Sequence, residues 1–340
     1  MLFETGHEGE HGSRLGEEYL INDAGYVSAV HGPTVHSTIK HHASLFAPAA
    51  TLVSSTGSEL EINLIWDSSV ANAPTGFTQA VLDAARLYVA DFAHPTNAGG
   101  IEKINIRVGY GEIAGTGLAS NALGESESYG YLTNYATVIN ALHQEGYVFK
   151  ASNEPIASQF FVTSAEVKAF GLISPTSSAT DGFVGFSTLG GTGYSWNFNA
   201  SAGGANIGTG PSQFDLEAVA WHEISEVMGR IGMEGQVING AHTYTPLDLF
   251  NFKSYNVLAL SPSSGYFSID NGATSLGTYN NSARYGGDIA DWASNASPLQ
   301  SATRGLPLGH YDAYDAFTFG GLNGAVSSSD IAELASLGYA

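Results

Sequence analysis

The sequence predicts an α+β fold, a mixed and twisted sheet carrying helices, followed by a loop-rich C-terminal part. Three observations predict it. Segments that alternate apolar and polar residues read as half-buried strands, and between them lie stretches with apolar residues at helical spacing. One such stretch, ending at Gly229, is strongly apolar yet carries His222, Glu223 and Glu226. Beyond Gly229 the chain is mostly loops and short strand-like runs until a last helical pattern near its end.

Taken in order, Leu60-Glu61-Ile62-Asn63-Leu64-Ile65-Trp66 alternates for most of its length and reads as a strand. Pro74 and Gly76 punctuate a turn. Phe77, Val81, Ala84, Tyr88 and Phe92 follow at helical spacing, with Pro95 to stop the helix. Ile104 to Tyr110 alternates again, so strand, helix and strand make a βαβ unit. The spacing of Tyr135, Val138, Ile139 and Leu142 predicts a helix over Tyr131 to Gly146, and Thr163-Ser164-Ala165-Glu166 reads as the capped start of a short one. Residues 183–198, rich in Gly, Thr and aromatic side chains, read as one or two exposed strands around Gly190-Gly191. Ser212 is placed to cap the strong helix, Asp215 to sit in its first turn and Gly229 to end it. A final helix begins near Asp330 and turns Ile331, Leu334 and Leu337 to the core.

At 340 residues the chain has room for one large domain or two modest ones. It divides into a His-rich N-terminal extension (1–50), an N-terminal subdomain ending in the strong helix (51–229) and a C-terminal subdomain (230–340). Lys+Arg is 11 against Asp+Glu 32, a net charge of −21. So acidic a surface repels phosphate backbones and anionic lipid, which excludes nucleic acid and membrane surfaces as partners. No apolar run approaches the roughly 18 residues of a membrane span. Only 13% of residues are charged and 42 are Gly; that neutral, polar profile is common in exported bacterial proteins, and an extracellular location is expected. Met1-Leu2-Phe3-Glu4-Thr5-Gly6-His7 shows no basic or apolar region of a Sec-type signal peptide. Export would then use a signal already removed or one read elsewhere, and the acidic end beyond Arg304 suits a C-terminal signal. There are no cysteines, which excludes disulfides, thiolate metal sites and thiol nucleophiles together. His7, His11, His31, His36, His41 and His42 crowd the extension; a polar tail over the surface is expected there rather than an accessory metal site or a pro-segment.

The chemistry lies in Trp221-His222-Glu223-Ile224-Ser225-Glu226-Val227-Met228-Gly229-Arg230. His222 and Glu226 are four apart, so on a helix they project from one face and can grip one ion. Glu223 is rotated about 100° away but adjacent, where a carboxylate can take a proton from a water activated by the ion.

The segment resembles the start of the metzincin zinc-peptidase motif HExxHxxGxxH, matching at His222, Glu223 and Gly229 and departing at Glu226. It is most similar to secreted bacterial metalloproteases with HEISEVMGR-like helices, and more loosely to leishmanolysin-like peptidases. The resemblance implies a metzincin-like fold and an extracellular endopeptidase acting on protein or peptide substrates with Zn²⁺. The compact motif would put its third ligand at Gly232. The leishmanolysin-like pattern inserts a long segment and then supplies the ligand from a His-Trp pair. Here Asp291-Trp292 stands in that place, which implies His222, Glu226 and Asp291 as ligands and Glu223 as general base. Asp248, in its apolar frame, either binds the ion or pairs with Arg230; Asp288, His242 and His310 are further candidates. The methionine turn of metzincins has no counterpart, since Met1, Met228 and Met233 are the only Met residues. Two carboxylates on the ion make it a weaker Lewis acid than three histidines would and favour harder ions such as Mn²⁺. Asp312 and Asp315 with Asp270 offer a structural Ca²⁺ site as an alternative, but with no EF-hand loop a solvated acidic loop is the expectation there. The departures also suit another reading, a catalytically degenerate extracellular binding or structural protein on the same scaffold.

Overall fold

The computed structural model describes residues 49–92, 100–198, 209–261, 265–280, 287–293, 310–318 and 320–339, with the backbone alone of 18–22 and 27–29. The extension's six histidines lie outside these residues. No described helix is long and apolar enough to cross a membrane.

The architecture is α+β around one large mixed sheet. Its strands are β1 (Glu18–Asn22), β2 (Val27–Ala29), β3 (Ala50–Val53), β4 (Leu60–Trp66), β5 (Glu102–Tyr110), β6 (Gly124–Asn134), β7 (Gln159–Thr163) and β8 (Gly182–Phe186). Two short strands, β9 (Ser195–Asn197) and β10 (Gln213–Asp215), pair in parallel outside it, while β11 (Gln236–Ile238) and β12 (Ala241–Tyr244) complete its far edge. The order across the sheet is β11-β12-β7-β6-β8-β5-β4-β3, with β1 also on β6 and β2 on β1. Strands β4, β5 and β8 run parallel, and β6 is antiparallel to β8 and β7. The expected βαβ unit is therefore present: β4 leads through α1 (Phe77–Asp91) to β5, with Leu60 opposite Glu102.

Two expectations are corrected here. The helix expected from Tyr131 starts at Tyr135: α2 is Tyr135–Gln144, capped by Asn134, and Tyr131 to Asn134 belong to β6. Residues 182–186 are not an exposed strand. They form β8, buried between β5 and β6, where Val184 and Phe186 are fully enclosed.

Helix α3 (Ser164–Ala169) opens with the expected capping box, Thr163 with Glu166. Helix α4 (Leu216–Val227) is the motif helix. Its cap is Asp215, not Ser212, because Gln213 to Asp215 are already strand β10. The carboxylate accepts from Ala218 N and from Gly324 N, so it also fixes the C-terminal chain to the start of α4. At the other end Gly229 takes φ +115°, and a Cβ there would overlap the Glu166 carboxyl. With Gly229 N–H on Glu226 O and Arg230 N–H on Ser225 O, the exit is a Schellman turn. It folds Arg230 back along the helix.

Helix α4 lies against β6 through small residues. Gly124, Ser126 and Ser128 alternate along the strand, and Ser126 and Ser128 donate to the Glu226 side chain and carbonyl. A Cβ at Gly182 would come within 2.8 Å of Val227. The other side of α4 meets α1, where Tyr88 OH donates to Trp221 O at 2.6 Å.

After α4 the chain forms a small antiparallel sheet from β13 (Asn251–Ser254), β14 (Val257–Leu258), β15 (Tyr266–Phe267) and β16 (Gly277–Thr278). A parallel pair follows, β17 (His310–Asp312) with β18 (Asn323–Ala325), and then α5 (Ser328–Ser336), which Ser327 and Asp330 cap reciprocally. One buried apolar cluster runs from Val53 to Tyr339.

Candidate metal centre

His222 and Glu226 rise from adjacent turns of α4, and Asp291 reaches them from the segment 287–293. His222 Nε2 lies 3.3 Å from Glu226 Oε1 and 3.3 Å from Asp291 Oδ1. Among the described residues this trio is the one group whose ligand atoms all fall within 4.8 Å of one another. Ligands about 2.1 Å from a shared tetrahedral ion stand about 3.4 Å apart. The spacing and the donor set, one imidazole nitrogen with two carboxylate oxygens, fit a divalent ion. The three residues form a buried group able to hold one.

Each candidate ligand is held from behind. His222 Nδ1 lies 2.8 Å from Ala313 O, so Nδ1 carries a proton toward the carbonyl and Nε2 faces the carboxylates. Ser126 Oγ donates to Glu226 Oε2 at 2.7 Å, leaving Oε1 to face His222. Asp291 is fixed through its neighbours: its carbonyl accepts from Asn280 N–H, and Trp292 N–H donates to Tyr314 O. The Trp292 ring is fully buried, stacked on Tyr279 at 5.1 Å.

Arg230 joins both carboxylates. Its Nη1 donates to Asp291 Oδ1 at 2.6 Å and its Nη2 to Glu226 Oε1 at 3.1 Å. The guanidinium stacks over Tyr314, 4.4 Å from the ring centroid. Two positive groups thus face two negative ones. Burial pushes the His222 imidazole down, but Asp291 and then Glu226, working against Arg230, hold it well above its usual value. Burial would raise Asp291; His222 and Arg230 beside it keep its carboxyl below the ordinary range.

The site opens onto a cleft of about 860 Å³ whose walls include Leu123, Tyr194, Asp288 and Phe317. His222 is 16% exposed while Glu226 and Asp291 are 2% and 3%, so the imidazole marks the open side. Glu223 lines the same cleft beside His222 and is 5% exposed. It lies directly over β6, where a Cβ on Gly124 would overlap its carboxylate.

The rival residues are placed elsewhere. Asp248 pairs neither with an ion group nor with Arg230: its Oδ2 accepts the N–H groups of Met233, Glu234 and Thr245, which organises the turn after α4. Burial pushes this carboxyl up to about 6. His242 is exposed and bonded to Gly235 O, and His310 sits on β17 near Asp215. Asp288 borders the cleft without joining the trio. Gly232, at the compact motif's third position, faces Ile289 and Asp248, and a Cβ there would sit 3.1 Å from Ile289. Asp270, Asp312 and Asp315 form no cation group among the described residues, and the expected solvated loop is corrected as well, since Asp312 is buried. Asp312 interacts with Asp330, and Asp270 accepts from Ser268 and Thr274.

Sequence reasoning misses Arg230 as the partner of both carboxylates, although it stands four residues after Glu226, the spacing of a helical ion pair. It also misses Ser126, which lies on the strand that was not expected, and the Ala313 carbonyl, which carries no sequence signal.

Comparisons with protein-family models, with curated proteins and with solved structures return no match.

Proposed function

We propose that the chain is an extracellular, metzincin-like endopeptidase whose ion is held by His222, Glu226 and Asp291. The observation that carries this reading is the approach of Asp291, from 65 residues beyond Glu226, to within 3.3 Å of the His222 Nε2 that Glu226 also faces. A divalent ion at this place supplies a Lewis acid, which polarises a scissile carbonyl and makes a nearby water more acidic. The chain's own residues do the rest. Glu223 takes the water's proton and returns it to the leaving amine. Its enclosure beside the cleft suits a carboxylate that must hold a proton between the two steps. Ala313 fixes the imidazole, and the cleft receives an extended peptide across α4. Zinc suits a tetrahedral site with one nitrogen and two oxygen donors, and the two carboxylates also accommodate Mn²⁺. The sparsely charged, Gly-rich polar composition supports the extracellular setting.

The test is Glu223→Gln beside the parent. Bound zinc should stay stoichiometric while casein hydrolysis falls by about 10²–10⁴. Unchanged hydrolysis would place the activity elsewhere.

A second reading has its own observation. Arg230 and a protonated His222 already balance both carboxylates, so the cluster can serve as a buried ion-pair network in a binding or structural protein. Elemental analysis of chain purified without added metal separates the two, because the network reading expects no bound transition metal.

A further inference from the structure

We infer that Arg230 is a positioning residue that sets the ion-facing oxygens of Glu226 and Asp291, and that it returns one positive charge to the centre. The inference rests on the proposed ion site and adds to it the residue that shapes it.

A guanidinium offers five N–H groups in a rigid planar fork. In Arg230 all of them find acceptors. Nε donates to Ser225 Oγ at 2.7 Å. Nη1 serves Asp291 Oδ1 at 2.6 Å and Ala290 O at 3.4 Å. Nη2 serves Glu226 Oε1 at 3.1 Å and His222 O at 3.4 Å. The side chain is fully buried and packed over Tyr314, so it has no other conformation to adopt without losing these bonds. Its acceptors include an atom from each of the three ligand residues.

The oxygens that Arg230 touches, Oε1 and Oδ1, are the same ones that face His222 Nε2. A carboxylate oxygen has two lone pairs. With one engaged by Arg230, the other is left for an ion on the side that His222 Nε2 faces. The partners of Arg230 therefore fix which oxygen of each carboxylate binds and from what direction. Outer-sphere partners of metal ligands commonly act in this way, and losing one costs about 10–100-fold in affinity. The charge matters as well. Two carboxylates alone would neutralise a divalent ion; with Arg230 in contact the centre keeps one net positive charge and more pull on a carbonyl oxygen.

The test uses the full chain with Zn²⁺ and Co²⁺ as probes. Arg230→Lys keeps the charge but offers a point ammonium in place of the fork. Far-UV circular dichroism checks the fold, competition with a chromogenic chelator gives zinc affinity, and the visible spectrum of the Co²⁺ form reports ligand geometry. Arg230→Lys should bind zinc about 10–100-fold more weakly and shift the Co²⁺ bands. A purely structural arginine would lower the melting temperature yet leave the affinity and spectrum of folded protein at parent values, and that result overturns the inference. If Arg230→Lys does not fold, Ser225→Ala decides. It removes the Nε acceptor and keeps every ligand; a weakening of about threefold or more with shifted bands supports positioning, and parent behaviour refutes it. A parent that binds neither ion refutes the ion site itself, a result distinct from a parent that binds while the variants match it.

Discussion

Trp292 Nε1 donates to Asp330 Oδ1 at 2.6 Å, tying the residue that follows Asp291 to the first turn of α5. Burial, and then the neighbouring Asp312, hold the Asp330 carboxyl well above its usual value. On the proposed reading the third ligand is thus anchored through a buried contact. Trp292→Phe keeps an aromatic ring but removes the pyrrole half of the indole with this donor, and leaves a buried acceptor. It should cost about 1–3 kcal/mol of stability and weaken zinc binding, both read by melting with and without zinc. Equal zinc-induced shifts in variant and parent would show that Asp291 does not depend on this anchor.

Giving the helix the second histidine of the motif it resembles should harm the protein. Glu226→His places an imidazole where Arg230 and Ser126 each expect an acceptor, and it leaves a buried guanidinium with one carboxylate. A broken buried pair costs about 3–5 kcal/mol, so the variant should melt well below the parent in chemical denaturation. A variant as stable as the parent would mean that Arg230 does not need Glu226.

Gly124→Ala tests the seat of Glu223. The added methyl would overlap the Glu223 carboxylate, while the ligands and Arg230 are untouched. Hydrolysis should fall about tenfold or more with zinc stoichiometry intact. Loss of zinc instead would show that the strand, not the base, had moved.

Asp248 contributes to the pH dependence beside Asp215, whose carboxyl burial also raises to about 6. Its carboxyl titrates at about 6 against an ordinary 3.8, so between these values the folded chain keeps a proton that the unfolded chain has released. Stability from this group is therefore full below about pH 4 and is lost as pH rises through 6, by about 3 kcal/mol in all. Asp248→Asn keeps a carbonyl oxygen for the three N–H groups and cannot ionise. Urea unfolding at about pH 4 and about pH 7 should show a fall in the parent that is smaller in Asp248→Asn. The same slope in both assigns the titration to another acid. Asp248→Ala leaves three buried N–H groups unserved and should destabilise at either pH by about 3 kcal/mol or more.

The strand–helix–strand start, α4 and its stop at Gly229 are legible in the sequence because each depends on residues within a few positions of one another. His222, Glu223 and Glu226 share that legibility, since four-residue spacing fixes a helical face whatever surrounds it. Asp291 is reached only through the resemblance, as no local pattern links residue 291 to 222. The failures have a physical reason as well. Strand β6 reads Gly-Glu-Ser-Glu-Ser-Tyr-Gly, too polar and small to signal a central strand. Its small side chains are what let α4 lie close and what supply the Ser126 bond to Glu226. The same polarity that hides the strand builds the site.

The balance of charge around Arg230 also bears on the order of events in the life of the chain. A small zinc domain whose ligands repel one another cannot fold until its ion arrives. Here Arg230 and His222 already face both carboxylates, so on the proposed reading folding need not wait for metal. On the proposed reading the chain can be finished in a compartment poor in zinc and filled later, when His222 exchanges its proton for an ion through the open side of the cleft. Refolding in the presence of a chelator would then proceed at the usual rate, and activity would appear only when metal is added back.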